Sequence, residues 1–398
     1  HNREPTTENP QPTTDNPQPR THNPQPTTEN QQPTTTTAIC YTLNTIHYLY
    51  IMSTLSKPNI RSFTKQEIGE YLESIGEKKF RLQQIWEWLW QKHAFDFQSM
   101  SNLSKELRTK LEEKFSFPSL SVNTTQYSED GTVKSRFKTH DGHKIEGVLI
   151  PTEERLTACV SSQIGCSLSC KFCATGFLER QRNLTFDEIY DEVVLINQQA
   201  QKIHEKKLTN IVFMGMGEPL LNYRSVLRAI DRITAPDGLG MSPRRITVST
   251  AGVAKMIRQL GDDQVKFKLA LSLHAANDKK RSEIMPVNET NDLNSLIDAL
   301  NYFYKQTKNE ITLEYILFDN FNDSLEDAAE LMKVYRQVPA DLVNIIEYNP
   351  IDFARFKKPS EEKTAAFMQF LDKNRVNTRL RKSRGKDIDA ACGQLANK

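Results

Sequence analysis

From Leu156 onward, short apolar runs of strand length alternate with amphipathic helical stretches, and this alternation limits the possible folds more than any other feature of the chain. The runs fall at 156–161, 210–214, 245–249, 267–273, 311–317 and 343–348, and a helical pattern follows each. Thr185-x-x-Glu188, a capping box, opens the first of those helices. Strands separated by helices pair in parallel through right-handed crossovers, so six such units predict an α/β fold built as an open, partial (βα)6 barrel. In barrels of this kind the chemistry gathers at the C-terminal ends of the strands.

Three cysteines follow the first run. Cys166, Cys170 and Cys173 form a C-x3-C-x2-C array between Gly165 and Ala174. A [4Fe-4S] cluster is usually held by four thiolates, so three closely spaced cysteines leave one iron free for a ligand that is not protein. A zinc site completed by Cys159 is the competing reading, although structural zinc favours two C-x2-C-like pairs. After the second run comes Met214-Gly215-Met216-Gly217-Glu218-Pro219, where glycines permit close backbone approach and Glu218 offers a carboxylate to an ammonium group. Ser249-Thr250, Ser272-Leu273-His274 and Asn349-Pro350 occupy three further strand ends. A lone Ser or Asn there ordinarily caps a helix or turn; together on one rim they form a candidate ligand-binding ring.

The chain ahead of the barrel divides in three. Residues 1–51 begin with a Pro-Thr-Thr/Asn-Pro-Gln-Pro repeat over 1–36 that has almost no apolar side chains to offset ordering, and this tail is expected to be disordered. Two readings of this tail stand side by side: a stalk or extracellular linker, and translated upstream sequence, which the absence of an initiating Met and the presence of Met52 suggest. Residues 38–52 are apolar but shorter than the roughly 20 residues of a bilayer crossing, and Asn44 and His47 interrupt them. Residues 58–118 read as a helical accessory domain, either an added core or an RNA-docking module: Thr64-x-x-Glu67 is a capping box, and Ile85, Trp86, Leu89 and Trp90 share a helix face. Residues 119–151 change period to a β-meander with turns at Asp130-Gly131 and Asp141-Gly142, and the barrel with a C-terminal catalytic segment spans 152–398.

Without residues 1–51 the chain carries 50 Lys+Arg against 46 Asp+Glu, a balance that neither demands nor excludes nucleic acid. Arg375, Arg379, Arg381, Lys382, Arg384 and Lys386 crowd into one stretch, a run that is most often a solvated face. Cys392 stands just beyond, where neighbouring cations are expected to lower its thiol pKa. Six cysteines, five outside the tail, do not make a secreted disulfide framework, and a soluble, cytoplasmic, monomeric protein with no membrane association is expected.

Glu146-x-Val148-x-Ile150-Pro151, Cys159 seven residues before Cys166, the three-cysteine array, the 214–222 segment ending in Leu220-Leu221-Asn222, Ser272-Leu273-His274 and Ala391-Cys392-Gly393-Gln394-Leu395 stand in one order along the chain. In this the chain resembles the RlmN/Cfr family of radical S-adenosylmethionine (radical SAM) RNA methyltransferases over roughly 58–396. Two departures are the first 51 residues, which have no family counterpart, and Glu347-Tyr348, where a Trp is usual.

The resemblance implies a radical SAM barrel in which Cys166, Cys170 and Cys173 hold a [4Fe-4S] cluster and Gly217, Glu218, Ser249, Ser272, Leu273, His274 and Asn349 contact SAM. Adenine C2 and C8 are amidine carbons too poor in nucleophilicity for polar methyl transfer. The family route has Cys392 accept a methyl from one SAM; a 5′-deoxyadenosyl radical from a second SAM then removes hydrogen from it, and the methylene radical adds to the base. Cys159 resolves the adduct through a transient disulfide with Cys392, and Glu146 is the matched proton acceptor. The implied substrates are 23S rRNA and tRNA, with C2 the preferred position and C8 of 23S rRNA the alternative. The implied reductant is flavodoxin or ferredoxin. A zinc-binding RNA-docking protein and a radical SAM enzyme acting on a small molecule are the readings from other classes.

Overall fold

The computed structural model describes residues 57–397; the repeat at 1–36 and the apolar stretch at 38–52 lie outside the described residues. Helix α1 (Lys65–Ser74) begins at the predicted capping box, where the Thr64 backbone N–H donates to the Glu67 carboxylate at 2.7 Å and the Glu67 N–H donates to the Thr64 hydroxyl at 3.2 Å. Helix α2 (Phe80–Trp90) buries Ile85, Trp86, Leu89 and Trp90, as their spacing predicts, and α3 (Lys105–Lys114) completes the helical module.

The meander strands β1 (Ser121–Tyr127), β2 (Val133–Lys138) and β3 (Lys144–Pro151) pair antiparallel. They do more than connect. Strand β3 also pairs antiparallel with β4 (Leu156–Cys159), so the meander is continuous with the barrel sheet. After β4 the chain forms a two-stranded ribbon of β5 (Gln163–Ile164) and β6 (Arg182–Asn183), which brackets the cysteine loop. Helix α4 (Phe186–His204) follows, its first turn capped by Glu188, whose carboxylate accepts from the Thr185 N–H at 2.9 Å. The remaining elements alternate: β7 (Asn210–Phe213), α5 (Tyr223–Thr234), β8 (Ile246–Thr250), α6 (Ala254–Asp262), β9 (Lys268–Ser272), α7 (Asp278–Ile284) with α8 (Leu293–Thr307), β10 (Ile311–Leu317), α9 (Leu325–Gln337), β11 (Leu342–Glu347) and α10 (Glu361–Lys373).

The six predicted βα units are present, with strand ends shifted by one or two residues where pairing stops before the apolar run does. The sheet then gains a seventh parallel strand. β12 (Thr378–Arg381) pairs with β11 from Val343↔Thr378 to Ile346↔Arg381 and ends a ten-stranded sheet of order β1-β2-β3-β4-β7-β8-β9-β10-β11-β12. Its sequence, Thr-Arg-Leu-Arg, has one apolar residue and so carries no strand period to read. The basic run read as a solvated face is therefore partly strand.

The helical module is seated on α4 and α5. The buried Arg61 guanidinium meets both Asp191 carboxylate oxygens at 2.5 and 3.0 Å, the Trp86 indole N–H donates to Asp237 at 2.7 Å, and the Tyr190 hydroxyl donates to the Trp90 carbonyl at 2.5 Å. Removing either member of the Arg61–Asp191 pair would strand a buried charge. No helix among the described residues is long and apolar enough to cross a membrane.

Candidate active site

Cys166, Cys170 and Cys173 open onto one cavity of about 130 Å³ at the C-terminal ends of the strands. Backbone hydrogen bonds shape the loop and tie it to α7: the Cys173 N–H donates to the Cys170 carbonyl at 3.2 Å, the Gly176 N–H to the Cys173 carbonyl at 2.9 Å, and the Lys171 N–H to the Ile284 carbonyl at 3.0 Å. Phe172, between the last two cysteines, packs edge-on against His274 with centroids 4.8 Å apart and pins the loop to the barrel. Gly165 has a φ of +75°, and a Cβ there would sit 2.2 Å from the Glu179 carbonyl oxygen, so only glycine admits the turn that starts the array.

Burial raises all three thiols, Cys166 to about 11. A free thiol in this setting stays protonated, and a cationic centre is what would hold three of them as thiolates. Three cysteines and a set of polar residues lining one cavity fit a cluster that leaves one metal position for an exogenous ligand.

Gly217, Glu218, Ser249, Ser272 and His274 line the same cavity. Gly217 has a φ of +90°, and a Cβ on it would press to 2.4 Å from the Gln163 side chain. The Glu218 carboxylate is buried, which raises its pKa; its oxygens accept from the Ala251 N–H at 2.7 Å and the Leu220 N–H at 3.0 Å. Ser249 and Ser272 share a hydroxyl contact at 3.3 Å. Burial pushes His274 down to about 3, and its Nδ1 accepts from the Ile316 N–H at 3.1 Å, so Nε2 carries the proton. Leu273 does not share the wall: its side chain lies in the core. Asn349 is also off the wall, and its amide instead donates to the Cys392 carbonyl at 3.3 Å.

Cys392 reaches the cavity on a segment tied down by long-range contacts. The Ala174 N–H donates to the Gly393 carbonyl at 2.7 Å, the Thr175 hydroxyl to the Leu395 carbonyl at 2.7 Å, and the Gln394 amide to the Pro350 carbonyl at 3.2 Å. Glu146, buried on β3, accepts from the Ala396 and Asn397 N–H groups at 2.9 and 3.0 Å through Oε2; its Oε1 has no hydrogen-bond partner among the described residues and lies 3.8 Å from Lys134 Nζ. Cys159, at the end of β4, is pushed up to about 12 by burial and then by Cys392 beside it. Cys392 is itself raised by burial, with Arg381 acting in the opposite direction. The expectation of a lowered Cys392 thiol is thus corrected, because desolvation outweighs the one cation that reaches it.

Sequence reasoning missed three residues. Arg381, on β12, places Nη1 3.6 Å from Glu314 Oε2 and 3.5 Å from Met214 Sδ, and burial opposes a charge that Glu314, Cys392 and Cys159 nonetheless hold in place. Glu314 and Arg381 line both the cysteine cavity and a second one of about 390 Å³ that continues past Cys392 toward the N-terminal ends of the strands. The signal for Glu314 was available, since it is the one acid in the apolar run 311–317. Arg281 is fully buried and binds the strand-end loops from below, donating to the carbonyls of Ala251 at 2.5 Å, Leu273 at 3.1 Å and Ser272 at 3.3 Å. No local pattern marks it.

Residues 58–116 match the family described as "Ribosomal RNA large subunit methyltransferase N-terminal domain", and 160–332 match the "Radical SAM superfamily". A relative from Cytophaga hutchinsonii, "Probable dual-specificity RNA methyltransferase RlmN", is 53% identical over 360 residues, covering 89% of this chain and 98% of its own. "Dual-specificity RNA methyltransferase RlmN" of Syntrophobacter fumaroxidans is 44% identical over 84% of this chain and 97% of its own. Among solved structures, a radical SAM methyltransferase from Sphaerobacter thermophilus superposes with a TM-score of 0.81 at 38% identity, covering 86% of this chain and all of that one. The zinc-docking and small-molecule readings fall away, and the chain belongs to the RlmN family of radical SAM RNA methyltransferases.

Proposed function

We propose that this enzyme methylates C2 of an adenosine in the peptidyl-transferase centre of 23S rRNA and of the adenosine beside the tRNA anticodon, through an S-methylcysteine at Cys392 and with two SAM per turnover. The observation that carries the reading is the convergence of Cys392, from the far end of the chain, with the three loop cysteines on one cavity. The dual specificity in the relatives' names supports both RNA substrates.

Cys166, Cys170 and Cys173 would hold the [4Fe-4S] cluster, which together with SAM supplies one-electron reduction, the methyl group and hydrogen abstraction. Gly217, Glu218, Ser249, Ser272 and His274 would orient SAM, while Leu273 and Asn349 would act from behind, Leu273 by anchoring the strand end between Ser272 and His274 and Asn349 by holding the Cys392 backbone. Neutral His274 presents Nε2–H as a donor. Cys392 Sγ carries the carbon to the base. Glu146 Oε1 takes the proton lost from C2, and the unpaired electron of the radical adduct passes to the oxidised electron carrier, which restores the aromatic ring. Cys159 Sγ, as thiolate, then attacks Cys392 Sγ: the S–S bond forms, the S–C bond breaks, and its electron pair stays on the carbon, which is protonated to methyl. Arg381 faces both sulfurs and favours the thiolate at each stage.

A small electron carrier such as flavodoxin or ferredoxin would supply the electrons, and the enzyme would act as a cytoplasmic monomer. Mass spectrometry of nucleosides from a deletion strain tests the reading: 2-methyladenosine disappears from 23S rRNA and tRNA. Its persistence with loss of 8-methyladenosine would instead assign the C8 reaction.

A further inference from the structure

The second cavity holds an acceptor that nothing fills. Glu314 lies mid-strand on β10 with its side chain 2% exposed. Its Oε1 is saturated by the Thr312 hydroxyl at 2.9 Å and the Asn344 amide at 2.7 Å, which lock the carboxylate in one orientation. Its Oε2 has no donor within ordinary hydrogen-bond distance among the described residues and is met only by the long ion pair to Arg381 Nη1 at 3.6 Å. A buried, charged acceptor left without a donor is costly. A ligand bringing an N–H to this point would recover that cost.

Glu314, Arg381 and Cys392 line both cavities, so a ring that approaches the Cys392 sulfur from the second cavity lies beside Glu314. We propose that Glu314 Oε2 accepts a hydrogen bond from the 6-amino group of an adenine ring seated there, making Glu314 a specificity-determining residue against guanine-like rings. The inference rests on the adenine-methylating reading above. Adenine offers an amino donor at C6, whereas guanine and hypoxanthine put a carbonyl oxygen there, which a locked carboxylate repels. Both the target nucleotide and SAM carry an adenine. The target is favoured because Arg155, Arg379 and Lys382 on the second cavity's wall form no salt bridge among the described residues and suit its phosphates.

Substituting Glu314→Gln converts the site. Thr312 and Asn344 keep the Gln carbonyl oxygen where Oε1 was, so the amide NH2 stands where Oε2 was and an acceptor becomes a donor. The holoenzyme, wild type or variant, is titrated with an anticodon stem-loop carrying adenosine, purine riboside or inosine at the target position, and separately with SAM by equilibrium dialysis. The wild type should bind the adenosine RNA about tenfold more tightly than the purine riboside RNA, with inosine weakest. The variant should lose that preference and favour inosine. If instead the variant binds SAM about tenfold more weakly and keeps the wild-type order of RNAs, the ring is that of SAM. Equal wild-type affinity for adenosine and purine riboside RNAs, with SAM affinity unchanged in the variant, overturns the assignment. The wild-type arm does not depend on the variant folding. Failure of the wild type to bind any of the RNAs would count against the adenine-methylating reading itself.

Discussion

Cys166, Cys170 and Cys173 lie in one eight-residue loop that follows directly from a strand end, whereas Cys392 enters the same cavity from the far end of the chain, fastened by Asn349, Ala174, Thr175 and Glu146. The loop needs little beyond the barrel rim to hold its sulfurs together. The C-terminal segment has no regular structure around Cys392 and depends on partners 43 to 251 residues away. On the route proposed above Cys392 first takes up carbon and later surrenders it, which requires movement, and tethers of one or two hydrogen bonds each can be broken singly. A metal site has no such need.

The contrast is broken most directly by separating the two sulfur sets. Cys166→Ala should abolish the cluster, so that anaerobically purified protein falls from about four irons per chain, with methylation lost. Cys392→Ala should keep the iron and lose methylation just as completely; iron analysis beside a methyl-transfer assay distinguishes the two. Cys159→Ala should permit attack on the base but stall release, accumulating a covalent protein–RNA adduct on a denaturing gel; free RNA with normal product from this variant would remove Cys159 from the resolving role.

Acid should act on the C-terminal segment. Glu347 is buried enough to oppose its charge, yet Lys358, Lys386 and the Ser383 N–H hold it down to about 2, and Asp130, bonded to Thr132 and Gly385, is lowered to about 2 as well. Their folded pKa values lie below the unfolded ones, so the stabilisation is complete above about pH 4.5 and is lost as pH falls toward 2. Urea unfolding across that window should show the wild type losing more stability than Glu347→Gln; parallel curves would mean that Glu347 does not clip the segment. The smallest effect belongs to Asn349→Ala. Loss of one hydrogen bond, about 1 kcal/mol, should speed iodoacetamide capture of Cys392 about fivefold in protein whose methylation and cluster content are measured alongside; an unchanged rate would show that the other tethers suffice.

Legibility along the chain follows the range of the interactions. The six strand runs, both capping boxes and the cysteine array repeat or cap over a few residues, and the fold places them within a residue or two of where their patterns lie. The seventh strand was illegible because pairing with β11, not an apolar period, makes it a strand. Arg381 was hidden for the same reason: in a run of cations, only the pairing of β12 with β11 settles which of them face the barrel cavities. Glu314 was visible as an acid in an apolar strand, but its partners Thr312, Asn344 and Arg381 come from three different strands.

By itself the sequence determined the barrel, the three-sulfur loop and the family, because period, spacing and short motifs are properties of neighbouring residues. Only the tertiary structure decided which wall each side chain faces: that Asn349 holds the Cys392 backbone, that burial raises a thiol whose neighbours are basic, and that a carboxylate and a guanidinium meet between two cavities. Those outcomes depend on desolvation and on contacts between strands distant in sequence, and neither is written in local order.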